Sequence, residues 1–568
     1  MAELVVYLAG EFLAETAISY FAIGKEAMFL RAAIRAGSFV LTTKAAQSMG
    51  LIGGTAANEL KGQTINVRSS TAPRQLIYGQ SLVGGVMFYA ATTGTNNEYL
   101  HTVFGLADHQ IQSVEKVYFG DEDVGTVSGN VSSGRYSGKA RIQNKTTGGT
   151  AYSDLVTETA SLTNKWTSSH KLTGISSVYV RMQYDTSVFT SIPTVRALVK
   201  GKLVYDPRST TTAWSDNPAL CIRDYIMSDY GMRVTADEID SASFIAAANI
   251  CDETVTASGS VTQKRYTLNG VVDTSKSPRE VLQDMLSTCA GMLIYSSGKY
   301  KLIVGAFSSP VQTITVDDLR GDVQLSCANE KANLFNRVSG VFADADKLYS
   351  ATEYPAIASS TFKTQDGGEE LTAQLDLNFT TNNLEAQRLA KINLLKSRQG
   401  IVVNISCKPT CLNITAGDVV ALTISQLGWS GKYFRVMEWR LNEDIGVDLV
   451  LKEEDSTAYD WSTSDAQDGA PNTSLTLIQP QAAPSGLSAT NQNLSLPDGT
   501  ILPAAHISWN AVSSAYVTGY ELQFKLSTDT VWQSLFTSQT VYDYVGQQEV
   551  ALVYNIRVRA IYSDKEAP

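Results

Sequence analysis

The segment "SPREVLQDMLSTCAGMLIYSSGKYKLIVG" (Ser277 to Gly305) marks its own boundaries at every step, so it restricts the fold more than any other stretch. Ser277 followed three residues later by Glu280 is a capping box, with Pro278 at the first helical position. Val281, Leu282, Met285, Leu286 and Cys289 form one apolar stripe at helical spacing, and Gly291 ends the helix. "MLIY-SSGK-YKLIV" then predicts a tight hairpin, with turn residues between two apolar runs. A helix of this length feeding a hairpin is the unit of an α+β module.

The same logic recurs upstream. In "NPALCIRDYIMSDYGM", Asn217 suits the N-cap and Pro218 the first turn; Ala219, Ile222, Ile226 and Tyr230 keep helical spacing, and Gly231 supplies the stop. Arg223, Asp224 and Asp229 fall on a solvated or interface face of that helix. Thr235 and Glu238 form a second capping box, predicted to open a helical run to about Asp252. A further helix is predicted over Asn383 to Arg398, with Glu385 and Arg388 placed to pair on its exposed side.

Elsewhere the pattern is β. "RQLIYGQSLVGGVMFYAA" sets glycine turn signals between apolar runs and predicts a hairpin, and "IQSVEKVYFGDEDVG" ends an apolar run in an acidic turn. Residues 128–195 are rich in Ser, Thr, Gly and Tyr and suggest a small β insertion domain; in "SSVYVRMQYD", Val178, Val180 and Met182 share a face. Asn336 to Glu454 returns to strands around "NITAGDVVALT" and "KYFRVMEWRLNED". After a polar linker, "HISWNAV", "GYELQFKLS" and "YNIRVRAI" alternate strictly. Ile507 and Trp509, then Tyr520, Leu522 and Phe524, then Tyr554, Ile556 and Val558 therefore point to one core.

At 568 residues the chain has room for roughly four domains. The expected divisions are 1–60 (an apolar helical arm), 61–127, 128–195, 196–310, 311–460, a linker over 461–483, and 484–568. Glu3, Glu11 and Glu15 interrupt the apolar arm and no positive charge precedes it, so a buried or partner-packed helix is expected there rather than a signal peptide or a span. A net charge of −11 without a basic run argues against a protein held to nucleic acid by phosphate contacts.

The usual chemical signatures are missing. No HExxH, Walker A, GxSxG or GxGxxG pattern occurs, and the four histidines (His101, His109, His170 and His506) are scattered. Six cysteines are too few for a disulfide framework; Cys221, Cys251 and Cys289 sit on apolar helix faces, and Cys407 and Cys411 stand together in "CKPTC" without a second pair, so core thiols are expected. "DADK" (Asp344 to Lys347) lacks the glycine and distant glutamate of a calcium loop and reads as a solvated turn. "GDEDVG" (Gly120 to Gly125) could bind a cation weakly, but is expected to be an acidic hairpin tip. Catalytic, cofactor-binding and metal residues are therefore all expected to be none, and the chain is expected not to be an enzyme.

The ordered series carries a resemblance. "NPALCIRDYIMSDYGM" followed by "ASFIAAANICDETV" resembles the central region of lambda-type tail tip attachment proteins (protein J) of long-tailed phages. The likeness continues in order through the Ser277 segment, "NRVSGVFAD", "AQRLAKINLL" and "LNITAGDVVAL", and upstream through "APRQLIYGQSLVGGVMFY". Separately, "APSGLSA", Trp509, "GYELQF" and "YNIRVRA" resemble a fibronectin type III domain, with Tyr554 in the tyrosine-corner position.

The resemblance implies a mainly β, multidomain tail hub of β-barrel-like domains with small α+β domains, followed by an immunoglobulin-like β-sandwich. It implies a homotrimer at the distal tail tip of a virion, made in the host cytoplasm, closing the tail tube. Implied partners are the distal tail protein, the tape measure protein and other tail-tip or fibre proteins. Host attachment and DNA delivery follow, with DNA passing through without specific binding. Members are often longer, and here the sequence ends at "SDKEAP"; either it is a fragment or the receptor-binding part is another chain. A secreted adhesin or glycan-binding protein with a fibronectin-like module is the competing reading. It would need the signal peptide that the N-terminus lacks.

Overall fold

The computed structural model describes residues 64, 66–67, 72–185, 188–189, 191–326, 334–442, 445–469, 483–513, 517–545 and 552–562. The helical arm expected over residues 1–60 lies outside them. The chain divides into two compact units, residues 1–470 and 471–568.

The apolar run from Gln75 makes strands β1 (Gln75–Tyr78), β2 (Gln80–Val83) and β3 (Val86–Thr93). The hairpin expected among them does not form. β1 pairs with β14 (Gly270–Asp273), β2 with β10 (Val195–Asp206), and β3 with β4 (Tyr99–Ala107), all antiparallel. Gly79 redirects the chain at φ +61, where an added Cβ would stand 2.1 Å from the Leu268 carbonyl oxygen. Buried strands take hydrogen-bond partners wherever the sheet supplies them, and here it supplies them from distant sequence.

Strand β10 centres one sheet, flanked by β11 (Thr211–Trp214), β2 and β5 (Ile111–Phe119), with β6 (Glu122–Asp123) beyond β5. A second sheet runs β3, β4, β9 (Ser176–Gln183), β8 (Ala140–Lys145) and β7 (Gly129–Asn130). Residues 128–195 thus extend a sheet begun by β3 and β4. Phe104, Val117, Phe119, Ile142, Val178, Val180 and Val199 make one core from both sheets. Tyr179, on the other face of β9, joins Tyr152, Leu155 and Trp166 beside helix α1 (Ser153–Glu158), so β9 is buried on both faces.

The α+β part holds α2 (Pro218–Met227), α3 (Ser241–Asp252) and α4 (Pro278–Ser287). Hairpins β12–β13 (Thr254–Ser258, Val261–Lys264) and β15–β16 (Met292–Ser296, Lys299–Ile303) accompany them. The second hairpin turns through Ser297 and Gly298, both at positive φ (53° and 78°), the geometry that matches strand twist. The capping box at Ser277 forms as the sequence predicts, with Glu280 accepting from the Ser277 N–H at 3.2 Å. The box at Thr235 caps only a 3-10 turn, Ala236–Glu238; α3 starts afresh from Asp240, whose side chain accepts from Ala242 N–H. Helix α2 stops at Met227, before Tyr230; Gly231 is required because a Cβ there would lie 1.9 Å from the Tyr225 carbonyl oxygen.

Next, β19 (Arg337–Ser339) lies between β22 (Ile357–Ala358) and β23 (Thr372–Gln374), and β20 (Val341–Asp344) pairs with β21 (Ser350–Glu353). Helices α5 (Ser360–Gln365) and α6 (Asn383–Lys396) follow. A six-stranded sheet runs β17 (Gln312–Thr315), β25 (Val419–Ile424), β26 (Trp429–Leu441), β27 (Val447–Glu453), β24 (Val402–Cys407) and β18 (Gln324–Ser326). No helix among the described residues is long and apolar enough to cross a membrane.

The second unit has two three-stranded sheets. They run β28 (Ser485–Ser495), β29 (Ile501–Asn510), β32 (Val541–Tyr544) and β31 (Gln533–Thr537), β30 (Val517–Leu526), β33 (Tyr554–Tyr562). Ile507, Trp509, Tyr520, Leu522 and Phe524 form its core, with Ile556 and Val558 partly buried against it. Six strands are thus present among the described residues of this unit. Tyr554 packs on Tyr544 at 5.4 Å, while it is the Tyr520 hydroxyl that accepts a backbone N–H, from Val512.

Candidate functional site: a core tied by buried polar groups

The first unit's largest core gathers α2, α3, α4 and α6 around Leu220, Ile222, Tyr225, Phe244, Met285 and Leu389. Polar side chains tie these elements together. Asn217 accepts from Ala219 N–H at 3.0 Å, and its Nδ2 donates to the Ala248 carbonyl of α3 at 2.9 Å, so one cap joins two helices. Asp224 accepts from the Tyr78 hydroxyl and from Lys202 Nζ, both at 2.6 Å, which fixes α2 to β1 and β10. Arg223 is buried and stacks over the Tyr205 ring at 5.2 Å. Of the three residues expected on a solvated or interface face, Asp229 is exposed (side chain 88%), Asp224 is half-buried and Arg223 is buried.

Helix α6 overturns a second expectation. Asn382 caps it, accepting from Leu384 and Glu385 N–H. Glu385 and Arg388 are not on an exposed side: they are 1% and 5% exposed. Glu385 accepts from Thr267 N–H at 2.6 Å and from its hydroxyl at 2.8 Å, and Arg388 Nη2 donates to the Arg265 carbonyl at 2.7 Å. The extended chain between β13 and β14 crosses the helix and supplies backbone partners to both charges. Burial drives the Glu385 carboxyl up to about 7, although Arg388 and the Thr267 donors oppose that. Burial likewise holds Lys396 down at about 8. Two further pairs brace the same region. Arg398 donates to both Asp366 oxygens, at 2.6 and 2.8 Å, and Arg435 pairs with Glu454 at 2.6 Å with both side chains 4% exposed.

These groups are fasteners rather than reagents. Burial pushes the Cys289 thiol up to about 12 and raises Cys221 and Cys251 well above the ordinary range, the opposite of nucleophile activation. His101 lies between Thr93 and Tyr179 hydroxyls at 2.6 and 2.8 Å, and burial holds it neutral down to about 4. At the acidic hairpin tip, Asp121 meets Arg196, Asp123 meets Lys116, and Glu122 accepts from the Tyr136 hydroxyl. Asp344 of "DADK" caps a 3-10 turn through Asp346 N–H and pairs with Lys347. Among the described residues, no group of three or more His, Cys, Asp or Glu is placed to hold a metal ion.

The chain is β-rich, and its buried charges are held by its own backbone and by one another. Residues 277–439 match the family described as "Putative phage tail protein". The chain is 30% identical over 312 residues to the baseplate hub protein pb3 of Escherichia phage T5, covering 51% of this chain and 32% of that protein. It is 26% identical over 200 residues to the tip attachment protein J of Escherichia phage SECphi27, covering 32% of this chain and 16% of that protein. Among solved structures, one chain from the virion of a native gene transfer agent particle aligns over 74% of this chain and 98% of its own, with 13% identity and a TM-score of 0.49. Over the matched regions the chain is similar to structural phage tail proteins of the baseplate hub and tip attachment kind. It spans less than a third of the length of the two phage relatives.

Proposed function

We propose that the chain forms a homotrimeric hub that closes the distal end of a long-tailed phage tail, anchors tail-tip or fibre proteins, and takes part in host attachment and DNA delivery. The reading rests on one coincidence. The family match over residues 277–439 covers α4, α6 and most of the six-stranded sheet, and with them Glu385, Arg388, the Arg398–Asp366 pair and Arg435. Its neighbours in the assembly are the distal tail protein and the tape measure protein, and host contact runs through a fibre chain or a further receptor-binding part. The division of the chain at 1–60, 61–127, 128–195, 196–310, 311–460, 461–483 and 484–568 belongs to the same proposal. Residues 484–568 are a fibronectin type III module; the two three-stranded sheets and the Trp509–Tyr520 core support this.

Three copies carry 3 × (−11) = −33 formal charges, and like charge keeps passing DNA from adhering to the channel. The test is light scattering on the purified chain together with immunogold electron microscopy of particles. A mass of three chains and gold at the distal tip are expected. A monomer with label along the tail shaft would defeat the reading.

A further inference from the structure

We propose that Cys407 and Cys411 form a reversible disulfide beneath the corner between β24 and β25, a modification site whose co-reactant is a small-molecule disulfide such as oxidised glutathione. Cys407 ends β24, paired with Val447 of β27. The chain then turns through Lys408, Pro409 and Thr410, all exposed, and a bond from Cys411 N–H to the Lys408 carbonyl at 3.1 Å folds Cys411 back underneath. Both thiols are buried in one cluster, near enough that each shifts the other's titration. Gln312 Nε2 stands 3.8 Å from Cys411 Sγ, and the Thr410 hydroxyl 3.9 Å. Polar groups gathered on one sulfur of a neighbouring pair distinguish this site from Cys221, Cys251 and Cys289, which burial makes inert.

The contacts assign the order of attack. The neighbouring Cys407, together with the Thr410 hydroxyl and Gln312 Nε2 beside its sulfur, favours the Cys411 thiolate and holds that thiol below its ordinary value while Cys407 is raised, so Cys411 is the thiolate former. Its thiolate attacks one sulfur of the small disulfide; one thiol leaves, and a mixed disulfide remains on Cys411. Cys407 then gives up its proton and attacks the Cys411 sulfur, expelling the second thiol. Two protein thiols lose two electrons and two protons, and one small disulfide becomes two thiols. Access needs only fraying of the exposed turn at 408–413, since β24 and β25 keep their ladder bonds. A tail tip is assembled in a reducing cytosol and released into an oxidising medium, so the two states fall on either side of lysis.

The full chain is incubated with reduced or oxidised glutathione, quenched in acid, unfolded, alkylated and cut with trypsin. Trypsin does not cut before Pro409, so one peptide, 399–432, carries both cysteines. Expected after oxidised glutathione is this peptide without alkyl groups and lighter by two hydrogens, reversed by reduced glutathione, with Cys221, Cys251 and Cys289 still fully alkylated. In Cys407→Ser, Cys411 is expected to stop at a glutathione adduct. Full alkylation of peptide 399–432 in oxidised wild type with unchanged circular dichroism would overturn the proposal. So would a bond from either cysteine to Cys327, or a Cys407→Ser protein of native dichroism that takes up no glutathione.

Discussion

Glu385 and Arg388 stand one turn apart on α6, both buried, and each is held by the chain at Arg265 and Thr267 that crosses the helix. The arrangement makes α6 and the β13–β14 connection a single piece of structure. It also stores a protonation equilibrium in the core of the first unit.

Stability should therefore fall as pH rises through that equilibrium. The folded carboxyl titrates near 7, above its ordinary 4.5, so the folded state binds the extra proton between those values. Stability is full below 4.5, declines to about pH 7, and is flat above. The interval corresponds to roughly 3 kcal/mol at most. Urea unfolding at pH 5 and pH 8 should give a difference that Glu385→Gln largely removes; equal differences in both proteins would refute the assignment.

His101 should act in the opposite sense. Its folded value of about 4 lies below the ordinary 6.5, so the unfolded chain takes up protons first on acidification. Its contribution is full above pH 6.5 and is lost as pH falls toward 4, again by about 3 kcal/mol at most. His109, also held near 4 by burial, adds to this. His101→Gln should melt less steeply with acid than wild type across pH 7 to 4, and an unchanged acid slope would count against it.

Asn217 serves two helices at once, so Asn217→Ala removes a cap and leaves the Ala248 carbonyl without its side-chain donor. A loss of about 2 kcal/mol is expected. Asn217→Ser, which keeps the cap alone, should lie between; a Ser variant as weak as Ala would mean the cap contributes nothing.

Two glycines at the same backbone angle should respond differently. Gly79 (φ +61) has the Leu268 carbonyl oxygen 2.1 Å from a would-be Cβ, whereas Gly120 (φ +62) has open space. Gly120→Ala should lose only the conformational term, about 1 kcal/mol, while Gly79→Ala should exceed roughly 3 kcal/mol. Thermal melts that rank the two alike would show that strand crowding at Gly79 is relieved by backbone shift.

The free chain should bind duplex DNA poorly. A net charge of −11, with Lys116 and Arg196 paired to the acidic turn, leaves little basic surface there for phosphate. Retention of DNA in a low-salt gel shift, abolished by added salt, would contradict this.

What the sequence determined by itself was local. The box at Ser277, the Asn217 cap, the Ser297–Gly298 turn and the alternation of Val178, Val180 and Met182 depend on residues a few positions apart, and their chemistry leaves little choice. The ordered series of such segments also carried the tail-hub resemblance. Tertiary structure alone decided which strand lies beside which, because β1, β2 and β3 each offer the same backbone groups to any partner and found theirs far along the chain. It decided the fate of the charges as well. Glu385 and Arg388 look solvated when read along a helix. They are buried because elements distant in sequence bring the hydrogen-bond partners that make burial of a charge tolerable.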